Sequence, residues 1–146
     1  MKLALGSDHA GYLLKSAIKA HLEKKDIEFT DFGTFKMDSV DYPEFSYKVS
    51  QAVASGDYDL GILICGTGIG MSITANKIKG IRAAVVHSIE TAKLSRLHNN
   101  ANVLCLGGRI LEEDDACKIV DIWLTTSFEG GRHEKRINLI PKLTGI

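Results

Sequence analysis

The sequence predicts an α/β fold, a three-layer, doubly wound structure in which helices cover both faces of a five-stranded parallel sheet. Short apolar segments alternate five times with segments of helical periodicity along the 146 residues, a pattern typical of parallel strands joined by right-handed crossovers. One segment, residues 60–65, is wholly apolar, as expected of a strand buried on both faces. Turns rich in glycine, cysteine or histidine follow two of the strands, and a functional site is expected at these turns.

The first half of the chain contains two strand–helix units. Residues 2–6 are predicted to form the first strand, and from Tyr12 onward apolar residues recur on one helical face. Residues 27–32 are predicted to form the second strand. The next helix begins at Asp41, because this cap is followed by proline in the first turn and by glutamate three residues on. It ends near Gly56.

The second half continues the alternation. In chain order, the predicted elements are a strand at 60–65, a helix at 71–78, a strand at 82–86, a helix at 88–98, a strand at 103–106, and helices at 112–125 and 132–140. The helix at 112–125 opens with 4 acidic residues, which suit the positive end of a helix dipole. Pro141 is expected to end the last helix.

The composition indicates one globular domain spanning residues 1–146. Hydrophobic residues make up 45% of the chain and charged residues 25%, and this length is sufficient for one core. The 18 lysines and arginines balance the 18 aspartates and glutamates, so no global field favours nucleic acid or a membrane surface. We therefore expect neither partner, and any anion site must come from a local cluster.

Cysteine usage favours the cytoplasm. The 3 cysteines are too few and too scattered for a disulfide framework or a C-x-x-C metal site, which indicates a reducing compartment. We expect no signal peptide and no membrane span, because the sequence has no signal-peptide pattern and no apolar run long enough to cross a bilayer. Cys105, within a strand, and Cys117, on a helix face, are expected to be structural.

The predicted topology brings two turns together. For five strands, the common flavodoxin-like order is 2-1-3-4-5, a Rossmann-like arrangement whose switch point lies between strands 1 and 3. The turns after these strands, residues 7–11 and 65–68, would flank the crevice. His9 and His98 are expected at this same edge, and histidine is a natural proton carrier near neutral pH. No histidine pair has the i,i+4 spacing of H-E-x-x-H, so no metal site is expected.

Cys65 is the leading candidate for a functional group. It ends the buried strand, and Gly66, Gly68 and Gly70 follow at alternate positions, where backbone N–H groups can converge on an anion. The same N–H groups favour a thiolate. The spacing matches neither the G-x-G-x-x-G fingerprint nor a P-loop, which excludes nucleotide binding through those motifs.

A local cluster of cations is present near the carboxyl terminus. Arg132 and Arg136 share one helix face after two glycines, and the planar fork of arginine suits a phosphate dianion. The alternative is a solvated helix face with Glu129 and Glu134 as ion-pair partners. A thiolate beside an oxyanion loop could attack a carbonyl, or it could take a proton alpha to a carbonyl. The residues alone leave this choice open.

Seven segments, in this order and at this spacing, resemble the type B ribose-5-phosphate isomerases over nearly the whole chain. They are Ser7-Asp8-His9-Ala10-Gly11, Asp41-Tyr42-Pro43, Cys65-Gly66-Thr67-Gly68-Ile69-Gly70, Ala75-Asn76-Lys77, Arg82-Ala83, His98-Asn99 and Glu129-Gly130-Gly131-Arg132-His133. That family interconverts ribose 5-phosphate and ribulose 5-phosphate in the pentose phosphate pathway. The resemblance therefore implies an aldose–ketose isomerase that uses neither a metal nor a cofactor.

The resemblance implies how the proton is moved. Cys65 would be the base that transfers it between C2 and C1. Thr67 and the backbone of Gly66, Gly68, Ile69 and Gly70 would hold the enediolate oxygens. A branch of the family that lacks the cysteine has a glutamate just past the glycines; Met71 stands there in this chain, which is therefore similar to the cysteine branch.

The resemblance also implies the remaining roles. His98, helped by Asp8, would open the furanose ring, and Asn99 would fix a sugar hydroxyl. Basic and histidine side chains would hold the phosphate, namely His9, Arg132, Arg136 and, as a further candidate, Arg109. In that family the segment around His98 comes from a second subunit, so the resemblance implies a homodimer, or a dimer of dimers, that binds a phosphosugar.

Two alternatives stay open at this point. The related galactose-6-phosphate isomerase subunits share parts of the pattern but do not keep the full Cys-Gly-Thr-Gly loop in each subunit, which favours the ribose enzyme. Six-carbon substrates such as allose 6-phosphate or galactose 6-phosphate are the first alternative. The second is a non-catalytic sugar-phosphate sensor, which would have no use for a thiol base or a ring-opening histidine.

Overall fold

The computed structural model describes residues 1–146 and contains one five-stranded sheet in which every strand pairing is parallel. Its strands are β1 (Lys2–Ser7), β2 (Glu28–Asp31), β3 (Leu60–Cys65), β4 (Ala83–Val85) and β5 (Val103–Gly107). The predicted α/β fold class is confirmed.

Helices cover both faces of the sheet. They are α1 (Tyr12–Lys24), α2 (Tyr42–Ala54), α3 (Ile69–Ala75), α4 (Ile89–Asn99), α5 (Glu113–Thr125), α6 (Arg132–Ile137) and α7 (Leu139–Thr144), and a 3₁₀ turn spans His9–Gly11. One core cluster joins α1, α4 and α5 to the sheet, and a second joins α2 and α3 to the opposite face. None of these helices combines the length and the apolar character needed to cross a membrane.

The central strand is β3, which pairs with β1 on one side and β5 on the other. All of its residues are buried. Ile62 and Ile64 belong to the cluster beneath α1 and α5, whereas Leu63 and Cys65 belong to the cluster beneath α2 and α3. Because successive side chains alternate between two apolar layers, this strand has no position for a polar residue.

The observed strand order is β2-β1-β3-β5-β4, which differs from the expected 2-1-3-4-5 in its last two positions. Burial gives the reason. β5 has 5 residues, includes the larger side chains of Leu104 and Leu106, and is buried throughout, as suits an inner strand, whereas β4 has only 3 residues, all half-buried, as suits an edge strand. The switch point between β1 and β3 lies where it was expected.

The carboxyl-terminal segment also departs from the prediction. A single helix over 132–140 was expected, but α6 ends at Ile137 and α7 begins at Leu139. Pro141 does not end a helix, because it lies in the first turn of α7, where its missing N–H leaves no helical bond unmade.

A buried ion pair holds the loop that follows β2. The Lys15 ammonium, on α1, is 1% exposed and pairs with Asp31, while donating a hydrogen bond to the Thr34 carbonyl at 2.7 Å. Lys19 donates to the other Asp31 carboxylate oxygen at 2.8 Å. Burial acts to raise the pKa of Asp31, but hydrogen bonds from Lys15, Lys19 and the Gly33 N–H outweigh it and lower that pKa.

We expect Asp31→Asn to lower the free energy of unfolding by about 3 kcal/mol at neutral pH, because the Lys15 ammonium stays buried without its counter-charge. Since the pKa of Asp31 in the folded state lies below its ordinary value of 3.8, the contribution of the carboxylate is complete above that pH. It is lost as the pH falls through the lower, folded value. Urea unfolding of wild type and variant between pH 7 and pH 3 should therefore show a difference that shrinks below about pH 4.

Asp38→Asn is the matched control, because Asp38 pairs with Lys36 in an exposed position, with side chains 69% and 72% exposed. Its effect should stay below about 1 kcal/mol. Equal effects of the two substitutions would contradict a stabilising role for the buried pair.

Candidate active site

The Cys65 side chain closes β3 and is 5% exposed. The chain then turns, and the Gly68 N–H donates a hydrogen bond to Cys65 Sγ at 3.2 Å. The sulfur thus lies within reach of a backbone donor of the loop. The predicted thiol at the end of a buried strand, beside a loop of backbone donors, is therefore present.

Two glycines in this loop are required by crowding. Gly68 has φ of +81°, and an added Cβ would lie 3.1 Å from the Leu106 backbone carbon. At Gly70 a Cβ would lie 2.7 Å from the ring of Tyr42, the first residue of α2. The loop is thus packed against β5 on one side and against α2 on the other.

Neighbouring strands fix the loop further. The Gly108 N–H donates to the Cys65 carbonyl at 2.7 Å, and the Arg109 N–H donates to the Gly66 carbonyl at 3.0 Å. The Arg109 side chain covers Gly66, since a Cβ at Gly66 would lie 3.4 Å from Arg109 Nη1. A guanidinium, the further candidate for binding the phosphate, therefore lies beside the first glycine of the loop.

The loop after β1 lies against the end of β3, as the switch-point prediction required. Asp8 is 7% exposed, and its carboxylate accepts a hydrogen bond from the Gly11 N–H at 3.0 Å. Gly11 packs so closely that an added Cβ would overlap the Ile64 carbonyl. His9 Nδ1 accepts the Val40 N–H at 3.2 Å. This bond assigns the ring proton of neutral His9 to Nε2, which makes Nε2 a donor.

A second polar group is built from α4, α6 and the segment between α5 and α6. The rings of His98 and His133 stack with centroids 4.2 Å apart and planes 9° from parallel. Each Nε2 lies 3.8 Å from a carboxylate oxygen of Glu129. Beside them is a cavity of about 420 Å³ whose polar lining includes Asn99 and Arg136. We call this set the His98 cluster: His98, Asn99, Glu129, Arg132, His133 and Arg136.

Burial lowers the pKa of His133, and the positive charges of His98, Arg132 and Arg136 lower it further, while Glu129 opposes them. His133 therefore tends to stay neutral next to His98.

The ligand atoms of His98, Glu129 and His133 lie within 4.8 Å of one another. Metal ligation by two imidazoles needs both in-plane lone pairs to point at one ion about 2.0–2.1 Å away. In two nearly parallel, stacked rings those lone pairs lie in separate planes. The cluster as arranged is therefore not a preformed zinc centre.

The candidate residues thus fall into two groups. The first group lies at the carboxyl edge of the sheet and comprises Asp8, His9, Arg109 and the loop from Cys65 to Gly70. The second group is the His98 cluster, which lies apart from that edge. No hydrogen bond or ion pair joins the two groups.

The expectation that His9 and His98 share one edge of the sheet is wrong. A helix that follows a parallel strand runs back along the sheet, and His98 lies in the last turn of α4, 9 residues after Ile89. At about 1.5 Å per residue this carries it roughly 14 Å toward the amino edge.

Three residues near these groups were not predicted as site residues. His87 Nε2 lies 3.1 Å from the Thr67 carbonyl, and Glu129 and His133 bracket His98. The i,i+4 spacing of Glu129 and His133 was visible in the sequence, but their contact with α4 was not. The other two thiols lie outside the site. Burial raises the pKa of Cys105, and the nearby Cys65 raises it further. Burial also raises the pKa of Cys117, and the acidic residues around it add to this effect.

Comparison with known proteins gives a consistent result. The family described as Ribose/Galactose Isomerase matches residues 3–140. The chain is 49% identical to ribose-5-phosphate isomerase B of Escherichia coli over 139 residues, which is 95% of this chain and 93% of that protein.

Solved structures agree. Ribose-5-phosphate isomerase B of Clostridium thermocellum superposes with a TM-score of 0.98 at 52% identity, covering 99% of this chain and 98% of that one. The enzyme of Mycoplasma genitalium, solved with bound ribulose-5-phosphate, gives a TM-score of 0.94 at 46% identity, covering 99% and 96%.

We expect Gly68→Ala to lower the free energy of unfolding by about 3 kcal/mol, because it combines an unfavourable positive φ with crowding against β5. Gly56→Ala is the matched control, since Gly56 has φ of +84° with no atom within 4 Å of an added Cβ. It should cost about 1 kcal/mol. Urea denaturation measures both, and equal losses would contradict close packing of the loop on β5.

Proposed function

The chain belongs to the ribose/galactose isomerase family, and we propose that it interconverts D-ribose 5-phosphate and D-ribulose 5-phosphate. The observation that carries this proposal is the Cys65 thiol at the switch point, with the Gly68 N–H aimed at its sulfur. Relatives that bear this activity in their names, one of them solved with ribulose-5-phosphate bound, support the substrate.

Isomerisation requires a base next to C2 and donors next to the neighbouring oxygens. We assign the base to Cys65, whose thiolate takes the C2 proton and returns it to C1. The Thr67 hydroxyl and the N–H groups between Gly66 and Gly70 stabilise the enediolate that forms between these steps. Donors fixed in advance, as in this packed loop, lower the barrier most because they need no reorganisation.

The substrate enters as a closed furanose, so a proton must first move between the ring oxygen and the anomeric hydroxyl. We assign this step to His98, helped by Asp8, with Asn99 holding a sugar hydroxyl. The stacked ring of His133 holds the orientation of the His98 ring, and a carboxylate oxygen of Glu129 lies 3.8 Å from His98 Nε2.

The phosphate needs donors of fixed geometry. His9 offers Nε2–H, because the Val40 N–H occupies Nδ1. Arg132 and Arg136 provide two guanidinium groups from α6, and Arg109 provides a third beside Gly66. Together they supply the local positive charge that a chain with balanced overall charge needs to bind a dianion.

The separation of the two groups favours a homodimer. Within one chain His98 lies at the opposite edge from Cys65, so a complete site needs the His98 cluster of a second copy. Two-fold symmetry then builds two equivalent sites. A dimer of dimers is compatible with this arrangement.

We place the reaction in the pentose phosphate pathway and in the cytoplasm. All 3 cysteines are free thiols, which agrees with a reducing compartment.

We expect Cys65→Ala to fold normally and to lose at least about a hundredfold in the conversion of ribose 5-phosphate, the loss typical of removing a positioned proton-transfer group. Cys117→Ala, half-buried on α5, is the matched control and should keep wild-type activity. Circular dichroism checks the fold of both.

If Cys65→Ala turned over like wild type, the base would have to be another group. If wild type were inactive on ribose 5-phosphate, allose 6-phosphate and galactose 6-phosphate would be tested next, and binding without turnover of any of them would favour the sensor.

We expect a mixture of inactive Cys65→Ala and inactive His98→Ala subunits to regain activity when they are refolded together. A mixed dimer has one site with intact Cys65 and intact His98, so random pairing restores about a quarter of the wild-type sites. If His98 acted on Cys65 of its own chain, no mixed site would be intact. Absence of regained activity, with mixed dimers verified by mass spectrometry, would contradict the shared site.

A further inference from the structure

We propose that His87 is a positioning residue that holds the Thr67–Gly68 peptide with its N–H directed at the sulfur of Cys65. The inference about the peptide stands on geometry alone. Its consequence for turnover rests on the proposed isomerase function.

Two hydrogen bonds meet on this one peptide unit. His87 Nε2 lies 3.1 Å from the Thr67 carbonyl oxygen, and the Gly68 N–H donates to Cys65 Sγ at 3.2 Å. The carbonyl and the N–H of a trans peptide point in opposite directions. When His87 donates to the carbonyl from one side, the N–H is therefore turned toward Cys65 on the other.

The peptide needs such an anchor. Packing against β5 fixes where the loop lies, but the orientation of the peptide plane also depends on its hydrogen bonds, because glycine at position 68 adopts either sign of φ at little cost. The Thr67 hydroxyl accepts the Ile69 N–H at 3.3 Å and therefore does not hold the carbonyl. The bond from His87 is the only hydrogen bond that the Thr67 carbonyl accepts.

The strand order explains how His87 reaches the loop. His87 follows β4, the edge strand, and Thr67 lies beyond β3, so β5 separates them. Gly107 ends β5 without a side chain, so Thr67 packs directly against the end of this strand: an added Cβ would lie 3.1 Å from the Thr67 carbonyl carbon and 2.8 Å from Ile110 Cγ1. The histidine ring thus spans the end of β5 to contact the loop.

His87 also makes the peptide a better donor. A donor on the carbonyl polarises the peptide and strengthens the hydrogen bond that its N–H makes. The same N–H faces the place where Cys65 and the enediolate oxygens carry negative charge. His87 therefore acts on the reaction through the peptide and without touching the substrate.

Amide hydrogen exchange, resolved by NMR on the substrate-free protein, tests the anchor. In His87→Leu the Gly68 amide should exchange about tenfold faster, because its orientation is no longer fixed. The Gly108 amide, bonded to the Cys65 carbonyl, should exchange as in wild type and so shows that the loop remains folded. His87→Gln, which keeps an N–H donor of similar reach, should restore slow exchange at Gly68.

Kinetics test the consequence. In His87→Leu we expect kcat for ribose 5-phosphate to fall about tenfold with KM within about twofold, and His87→Gln to recover most of kcat. His21→Leu is the matched control, because His21 pairs with Asp121 between α1 and α5, and it should retain wild-type kcat.

Unchanged exchange at Gly68 in folded His87→Leu would overturn the anchor. Faster exchange with unchanged kcat would support the anchor and overturn its consequence for turnover. Should wild type fail to turn over any phosphosugar while Gly68 responds as expected, the anchor would stand and the isomerase function would fall.

Discussion

Burial of β3 on both faces is the constraint on which the site depends. A strand between two apolar layers carries no polar side chain along its length, so chemistry can begin only where the strand emerges at the sheet edge. Cys65 occupies that position. The glycines that follow bring backbone donors to the sulfur because β5 and Tyr42 leave no room for side chains there. The same packing that stabilises the core therefore fixes the donors in advance.

The distribution of polar groups follows from the direction of the helices. Loops after strands gather at the carboxyl edge, while α4 carries His98 back to the amino edge. One chain thus contains two separate groups, a thiol with its oxyanion loop and a histidine pair with its arginines, and the two groups do not touch. The homodimer that we propose would resolve this separation, because each of two copies related by a two-fold axis would supply what the site of the other lacks.

Much of this could be predicted from residue order. The apolar run ending at Cys65 and its glycines predicted the central strand and the glycine loop that follows it, because burial and close approach leave local signals. The position of His98 was also contained in the strand–helix alternation, although the expectation placed it at the wrong edge. The order of β4 and β5 could not be read, since it depends on the relative burial of two short apolar segments. The contacts of His87 with Thr67 and of His98 with His133 depend on that tertiary arrangement.

Hydrogen exchange with solvent tests the role of Cys65 most directly. Ribose 5-phosphate is incubated with the protein in heavy water, and NMR follows the hydrogen at C2 of the aldose and at C1 of the ketose. Proton transfer by Cys65 predicts that wild type introduces deuterium at these carbons, whereas folded Cys65→Ala does not. Prolonged incubation of wild type without deuterium at C2, or equal incorporation by the variant, would contradict a thiolate that moves this proton.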